Sequence, residues 1–483
     1  MEELKTQTPN ARRYRIINPY DWRSAMMQGQ PNYYTGLLLA VRSDAAPGTP
    51  GVFKFELQSG TARGETRTLP IAILPAPAPA PEIEGFEIGC FGLNNIQVCD
   101  EAARRELLKS YMDSGIRAGT LHENQGFAAK LAAAVDFNAQ ILVHGPDYPG
   151  AYTSKVPGIT LADGREDRSH AALGLVLTDP QLRAEYKKYL HNKLNLLPAD
   201  RTPVALIDIE FWGNGASSQS CFHPATVAEF RKFAHIPESE PLDSRIILSR
   251  YRKQWSDFRN DLTVRLHRMT RDLLRELRPD AELRAYDYTL ALDGKAQSFV
   301  DNIPTDTLAY DRADGAIDAH LISYYNYEGT DFLDHIDADA RTLTKPVYAV
   351  PYITEALPAV QMPSWSYKHP SAPEIRMEIL GLAASGGKGF CFFTAIAYDG
   401  ERLNAINQGV NAVAKYADFY LKGKRIDEQM KLTGMSPSMR YRLHEYNGRK
   451  LLTLFNTGKS AQTVSYPGGS IEVKPEDFVQ VEL

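Results

Sequence analysis

The chain has 483 residues, 43% of them hydrophobic and 23% charged, with a formal net charge of −5. That length exceeds one ordinary domain, and the composition is that of a soluble globular protein with a large core. The acidic balance and the lack of any Lys/Arg block exclude nucleic acid as a partner, and no apolar run reaches the roughly 20 residues of a membrane span.

Four cysteines, Cys90, Cys99, Cys221 and Cys391, are too few and too scattered for a disulfide framework. None forms a CxxC pair, so no structural zinc is expected, and no cofactor motif is present. The opening stretch "MEELKTQTPNARR" has no signal-peptide apolar region. The expected location is therefore cytoplasmic, or periplasmic or extracellular if a signal was removed.

Residues 11 to 75 read as short strands separated by turns: "RRYRII", "YYTGLLLAV", "GVFKFEL" and "TRTLPIAIL". No helical period interrupts them, which predicts a small β-sandwich. The alternating prolines of "PAPAPAPE", Pro75 to Glu82, predict a stiff extended linker. The N-terminal β-sandwich and its linker accordingly span residues 1–81.

Beyond the linker, short apolar runs alternate with stretches of helical period. The runs are "FEIGCFGL", "IRAGTLH", "AQILVHG", "VALIDIE", "ELRAYDY", "AHLISYY", "PVYAVPY" and "GFCFFTA". Between two of them, Leu182, Tyr186, Leu190 and Leu194 recur every four residues, and Asp179-Pro180 supplies a cap and first turn. Eight such units predict an α/β fold, a (β/α)8 TIM barrel over residues 82–425. A doubly wound sheet is the alternative, but no Gly-rich phosphate turn follows the first run. From Gly434 the texture returns to β, with Asn447-Gly448 marking a hairpin turn. A small C-terminal β-sandwich over residues 426–483 is expected.

The active site of such a barrel lies at the carboxyl ends of its strands. Those ends carry His122 and Glu123, then His144 and Asp147, then Asp208, Glu210, Trp212 and Asn214. Later strands add Tyr286 and Asp287, then Tyr324, Tyr325 and Asn326, and finally Glu355; Trp365 sits in the long loop that follows. Carboxylates and amides bind hydroxyl groups and aromatic faces stack on sugar C–H surfaces, so the set predicts a carbohydrate substrate. Two carboxyl groups across the scissile bond are the usual means of glycoside hydrolysis. Asp208, in phase with Glu210, is expected to support it through hydrogen bonds. Asp287 is grouped with the binding residues although its parity opposes that of Tyr286 and Tyr288, which suits a rim ion pair. His122, Glu123 and His144 are assigned to substrate hydroxyls rather than to metal, for lack of an HxxEH or HxH spacing.

A barrel between two β-sandwiches, with Glu210 ending the fourth strand and Glu355 ending the seventh, resembles the clan A glycoside hydrolases. The resemblance implies a retaining glycosidase with Glu210 as acid/base and Glu355 as nucleophile, at Phe86 to Leu421. Where that clan has Asn before the acid/base, this chain has Ile209. "LIDIE" and "LISYYNYEG" are also similar to the chitinase-like barrels, although the aspartates that precede D-x-E there are missing. Two other readings remain: a substrate-assisted glycosidase using Asp208 and Glu210, and a non-catalytic carbohydrate-binding barrel.

Overall fold

The computed structural model describes residues 2–4, 13–15, 45–56, 58–59, 61–75, 77–91, 101–121, 135–208, 221–295, 298–300, 303–304, 307–325, 327–353, 370–393, 398 and 400–483. The chain divides into two compact units. One comprises residues 1–41 and 355–367, and its described part is an antiparallel pair, β1 (Glu2–Leu4) with β2 (Arg13–Arg15). The other comprises residues 42–354 and 368–483 and holds everything that follows.

This larger unit opens on an antiparallel ribbon, β3 (Pro50–Phe55) with β6 (Arg67–Ala72), carrying the short pair β4 (Gln58–Ser59) and β5 (Ala62–Arg63) at its tip. The proline linker that follows is docked. The Ala80 N–H donates to the Asp113 carbonyl at 2.8 Å, and the Arg117 guanidinium and Asn407 amide bind the carbonyls of Ala80 and Ala78. A stiff segment loses little entropy when it is laid along a surface, which suits this role.

All eight predicted runs form strands: β7 (Glu87–Cys90), β8 (Ala118–Leu121), β9 (Asn138–His144), β12 (Val204–Asp208), β13 (Glu282–Tyr288), β16 (Ala319–Ser323), β17 (Val347–Val350) and β18 (Gly389–Phe392). They pair in parallel in that order and close into a barrel, with β18 bonded back to β7 through Phe390–Ile88 and Phe392–Cys90. Closure depends on Gly389. A Cβ there would lie 1.9 Å from the Glu87 carbonyl oxygen, well inside contact distance.

Helices cover the outside: α1 (Glu101–Ser114), α2 (Leu173–Thr178), α3 (Pro180–Leu194), α4 (Pro224–Phe233), α5 (Ser244–Arg250), α6 (Arg252–Leu277), α7 (Thr307–Arg312), α8 (Gly329–Thr342), α9 (Ala372–Ser385), α10 (Gly400–Lys415) and α11 (Ala417–Leu421). In α3 the Asp179 side chain accepts from Gln181 N and Leu182 N, and Leu182, Tyr186, Leu190 and Leu194 are buried, as the spacing predicts. Two hairpins had no counterpart among the predicted elements: β10 (Gly158–Thr160) with β11 (Glu166–Ala171), inserted after the third barrel strand, and β14 (Ser298–Val300) with β15 (Ile303–Pro304), after the fifth. Among the described residues no helix is long and apolar enough to cross a membrane.

The C-terminal region is antiparallel, with β19 (Lys424–Arg425), β20 (Met439–Tyr446), β21 (Arg449–Asn456) and β24 (Asp477–Glu482) in one sheet and β22 (Gln462–Tyr466) with β23 (Gly469–Val473) beside it. Asn447 and Gly448, with φ of 51° and 76°, make the predicted tight turn between β20 and β21. Charge complementarity holds the sheet to α8. The Arg440 guanidinium grips both oxygens of Asp334 at 2.5 Å, and Arg425 and Arg442 both pair with Asp337.

A small cavity at this junction is lined by Gly329, Leu333, Glu374, Met377, Glu378 and Thr457. The Glu378 side chain is buried and has its pKa raised well above the usual value by burial and by Glu374 and Glu328. An acid with a raised folded pKa gives its full contribution below the unfolded pKa and loses it as pH rises. Glu378→Gln should therefore raise stability at pH 7 by on the order of 1–3 kcal/mol, with the gain vanishing below about pH 4.5, as read from urea melts at several pH values. Gly389→Ala should cost about 3 kcal/mol in the same assay, because its Cβ meets backbone that cannot move without opening the barrel.

Candidate active site

The barrel interior changes character from one end to the other. At the amino end, Arg284 of β13 is held by Glu87 Oε1 at 2.6 Å and Glu282 Oε1 at 2.7 Å and lies 4.0 Å above the Tyr348 ring. Gln140 Nε2 donates to the same Glu87 oxygen at 2.8 Å. Burial opposes the Arg284 charge, but Glu87, Tyr348 and Glu282 outweigh it and hold its pKa above the ordinary arginine value. Above this layer sits an apolar plug of Leu142, Val204, Leu206, Leu321, Val350 and Cys391.

At the carboxyl end, aromatic rings cap the plug. Tyr286 lies 6.4 Å from Tyr325, Tyr325 lies 5.1 Å from Phe393, and Phe393 lies 5.7 Å from Phe91, between ring centroids. Tyr288 and Tyr352 flank the row, at 6.1 Å from Tyr286 and 6.2 Å from Phe393. Phe91, Tyr288, Tyr325 and Phe393 are only half-buried. They form a continuous aromatic floor at the carboxyl end of the barrel. Phe91, Tyr352 and Phe393 were read as strand ends rather than as site residues. Their signal was parity: each lies two residues beyond an inward-facing position, Gly89, Val350 or Cys391.

Of the predicted site residues, Tyr286 and Tyr325 belong to this floor, and His144 ends β9 beside it. The His144 ring packs tilted against Tyr148, 4.2 Å between centroids, while the His144 backbone N–H donates to the Tyr189 hydroxyl and its backbone carbonyl accepts from the Tyr186 hydroxyl. Asp147 is buried and accepts from His170 Nδ1 at 3.0 Å, with His170 supplied by the unforeseen hairpin strand β11. That hairpin is joined to the segment returning from the fourth strand by the Phe222 N–H, which donates to the Thr160 carbonyl at 2.8 Å. β12 ends at Asp208, level with His144. Glu210, Glu355, His122, Glu123, Trp212, Asn214, Asn326 and Trp365, and the side chain of Asp208, lie outside the described residues. Among the described residues no group of three or more His, Cys, Asp or Glu could hold a metal ion.

Two expected binding residues face the other way. Asp287 is 1% exposed and sits behind the strand, where its Oδ2 lies 2.6 Å from His320 Nδ1 while Asp311 lies 3.0 Å from His320 Nε2. This corrects both the substrate-binding and the rim ion-pair expectations. The period of two that brings Tyr286 and Tyr288 inward sends Asp287 against the helix layer. Tyr324, 1% exposed, is likewise turned out by the inward Tyr325, and its hydroxyl donates to Asp339 of α8.

Burial acts against a charged His320, but Asp287 and Asp311 outweigh it and raise its pKa. Burial pushes Asp287 up to about 6 against the pull of His320. Asp311 is held at about 2 despite burial by His320 and the N–H groups of Thr344 and Lys345. A histidine with a raised folded pKa stabilises fully below its unfolded value near 6.5, and the effect is lost as pH rises through the folded pKa. His320→Gln should cost about 3 kcal/mol at pH 6, because it strands two buried carboxyls. Thermal melts from pH 6 to 10 should show the difference from wild type shrinking as pH rises.

No family model matches the sequence, and no curated protein matches it. Similar solved structures include a β-galactosidase from Bacillus circulans sp. alkalophilus, 9% identical, with 83% of this chain and 99% of that one covered and a TM-score of 0.52. A β-galactosidase from the psychrophilic Marinomonas ef1 is 11% identical over 69% of this chain, with a TM-score of 0.47, and this chain spans 60% of its length. A β-L-arabinopyranosidase from Geobacillus stearothermophilus is 8% identical, with 82% of this chain and 96% of that one covered and a TM-score of 0.45. At 9% identity the likeness to the Bacillus circulans enzyme is one of fold, and the fold is the closed parallel barrel that the clan A resemblance implies.

Proposed function

We propose that this chain is a glycoside hydrolase whose substrate lies on the aromatic floor at the carboxyl end of the barrel. The observation that carries the reading is that floor: a row of half-buried rings where (β/α)8 enzymes hold their substrates. Ring faces present a flat, weakly polar surface to the C–H side of a pyranose and leave its hydroxyls free for polar partners. An apolar ligand would fit the rings equally well. The carboxylates and amides that the sequence places just beyond these strand ends favour a polyol.

In this reading Glu210, two residues beyond the end of β12, protonates the leaving oxygen, and Glu355, five residues beyond the end of β17, attacks the anomeric carbon. Water then hydrolyses the glycosyl-enzyme with Glu210 acting as base. A retaining pair calls for carboxyl groups about 5–5.5 Å apart. Asp208 supports Glu210 from one step deeper in the strand. The β ribbon ahead of the linker and the C-terminal sheet serve as structural modules around the barrel, which spans about residues 82–425.

The test is turnover of a panel of p-nitrophenyl glycosides by wild type, Glu210→Gln and Glu355→Gln. Each substitution should lower kcat by roughly 10²–10⁴-fold with the fold intact by circular dichroism. Loss with Glu210→Gln alone would point to the substrate-assisted route through Asp208. A wild type that binds oligosaccharides but turns over none of them would make the chain a binding protein.

A further inference from the structure

One helix grips the exits of two neighbouring barrel strands through a single buried carboxylate. Asp339 on α8 is fully buried. Its Oδ1 accepts from the Leu290 N–H at 2.8 Å, and its Oδ2 accepts from the Thr289 hydroxyl at 2.8 Å and from the Tyr324 hydroxyl at 2.5 Å. Thr289 and Leu290 follow directly on β13, and Tyr324 follows directly on β16. One turn earlier on α8, His335 Nδ1 donates to the Leu290 carbonyl at 3.1 Å, and the His335 ring lies 4.1 Å from that of Tyr327.

These two exits carry the floor rings. Tyr288 immediately precedes Thr289, and Tyr325 immediately follows Tyr324. Successive side chains on extended backbone alternate sides. Drawing Tyr324 outward onto Asp339 therefore presents Tyr325 inward, and holding Thr289 and Leu290 fixes the exit angle of Tyr288. Burial pushes the Asp339 carboxyl up to about 6, opposed by its three donors, so it serves those donors as an ionised acceptor at neutral pH. An ionised acceptor buried with three donors aligned makes stronger hydrogen bonds than a neutral group does.

We infer that Asp339 is a positioning residue for the proposed sugar site, setting the aromatic rings of Tyr286, Tyr288 and Tyr325 through its hold on Thr289, Leu290 and Tyr324. It touches no substrate. The inference rests on the glycosidase reading for its functional consequence, but its structural content stands independently of that reading. The opposite face of α8 offers a control, since Asp334 pairs with Arg440 of the C-terminal sheet and, among the described residues, makes no hydrogen bond to either strand exit.

The experiment labels the full chain with 3-fluorotyrosine and assigns the resonances of Tyr286, Tyr288 and Tyr325 from single Tyr→Phe variants. Asp339→Asn, which keeps the shape but places an amide N–H₂ against donors, should shift or broaden these three resonances. Asp334→Asn should leave them in place. Tyr324→Phe removes one donor and leaves two of the carboxylate's bonds, so it should produce a smaller shift and serves if Asp339→Asn does not fold. On the p-nitrophenyl glycoside that wild type turns over best, Asp339→Asn should raise KM roughly five- to tenfold with kcat within about twofold. Floor resonances that coincide with wild type in both variants, or that move equally in Asp334→Asn, overturn the inference even if the enzyme is active. Shifted resonances with no glycoside turned over by wild type sustain the positioning role and overturn the glycosidase reading instead.

Discussion

The architecture of the larger unit depends on closure of the barrel between its first and last strands. An open parallel sheet would leave the edges of β7 and β18 unpaired and the interior wet. Closure needs the β7 and β18 backbones to approach as they do at Gly389, where the absence of a side chain lets the Glu87 carbonyl in. Glu87 then does a second job inside. Its carboxylate meets Arg284 from the far side of the barrel, with Gln140 and Asn138 completing the set. Breaking that network by removing one partner would leave an uncompensated buried charge, which is strongly destabilising.

With the amino end tied by charge and the middle filled by aliphatic side chains, the carboxyl end can be floored with aromatic rings. The same alternation that points those rings inward points their neighbours outward, into a helix layer where polar groups must find partners. Asp287 meets His320 and Asp311, and Tyr324 meets Asp339. Those outward pairs are costly to break, because burial makes each unsatisfied group expensive. The inner face lined by rings and the outer face that braces them are thus two consequences of one strand geometry.

Helix α8 joins the brace to the rest of the molecule. Its buried side carries His335 and Asp339 against the strand exits, while Asp334 and Asp337 meet the arginines of the C-terminal sheet. The sheet therefore packs on the side of the helix turned away from the strand exits.

The sequence by itself determined much of this. Eight apolar runs of strand length at regular spacing leave few packings other than a barrel, and all eight form strands. The Asn447-Gly448 turn and the Asp179 cap were equally legible, because their physics is local and involves residues a few positions apart. Tyr286 and Tyr325 could be placed at the mouth by counting residues from the strand ends. The partners of outward-facing groups could not be read in this way. Nothing near Asp287 in the chain announces His320, 33 residues on, and nothing near Tyr324 singles out Asp339 from the other acids of its helix. The hairpin that brings His170 to Asp147 was equally hidden, since its alternation is too short to stand out from loop. Phe91 and Phe393 were masked by their own hydrophobicity, which reads the same whether a ring fills a core or floors a cleft. Periodicity tells which residues share a side, because it follows from the backbone; what lies on that side is decided only when the barrel closes and distant segments meet.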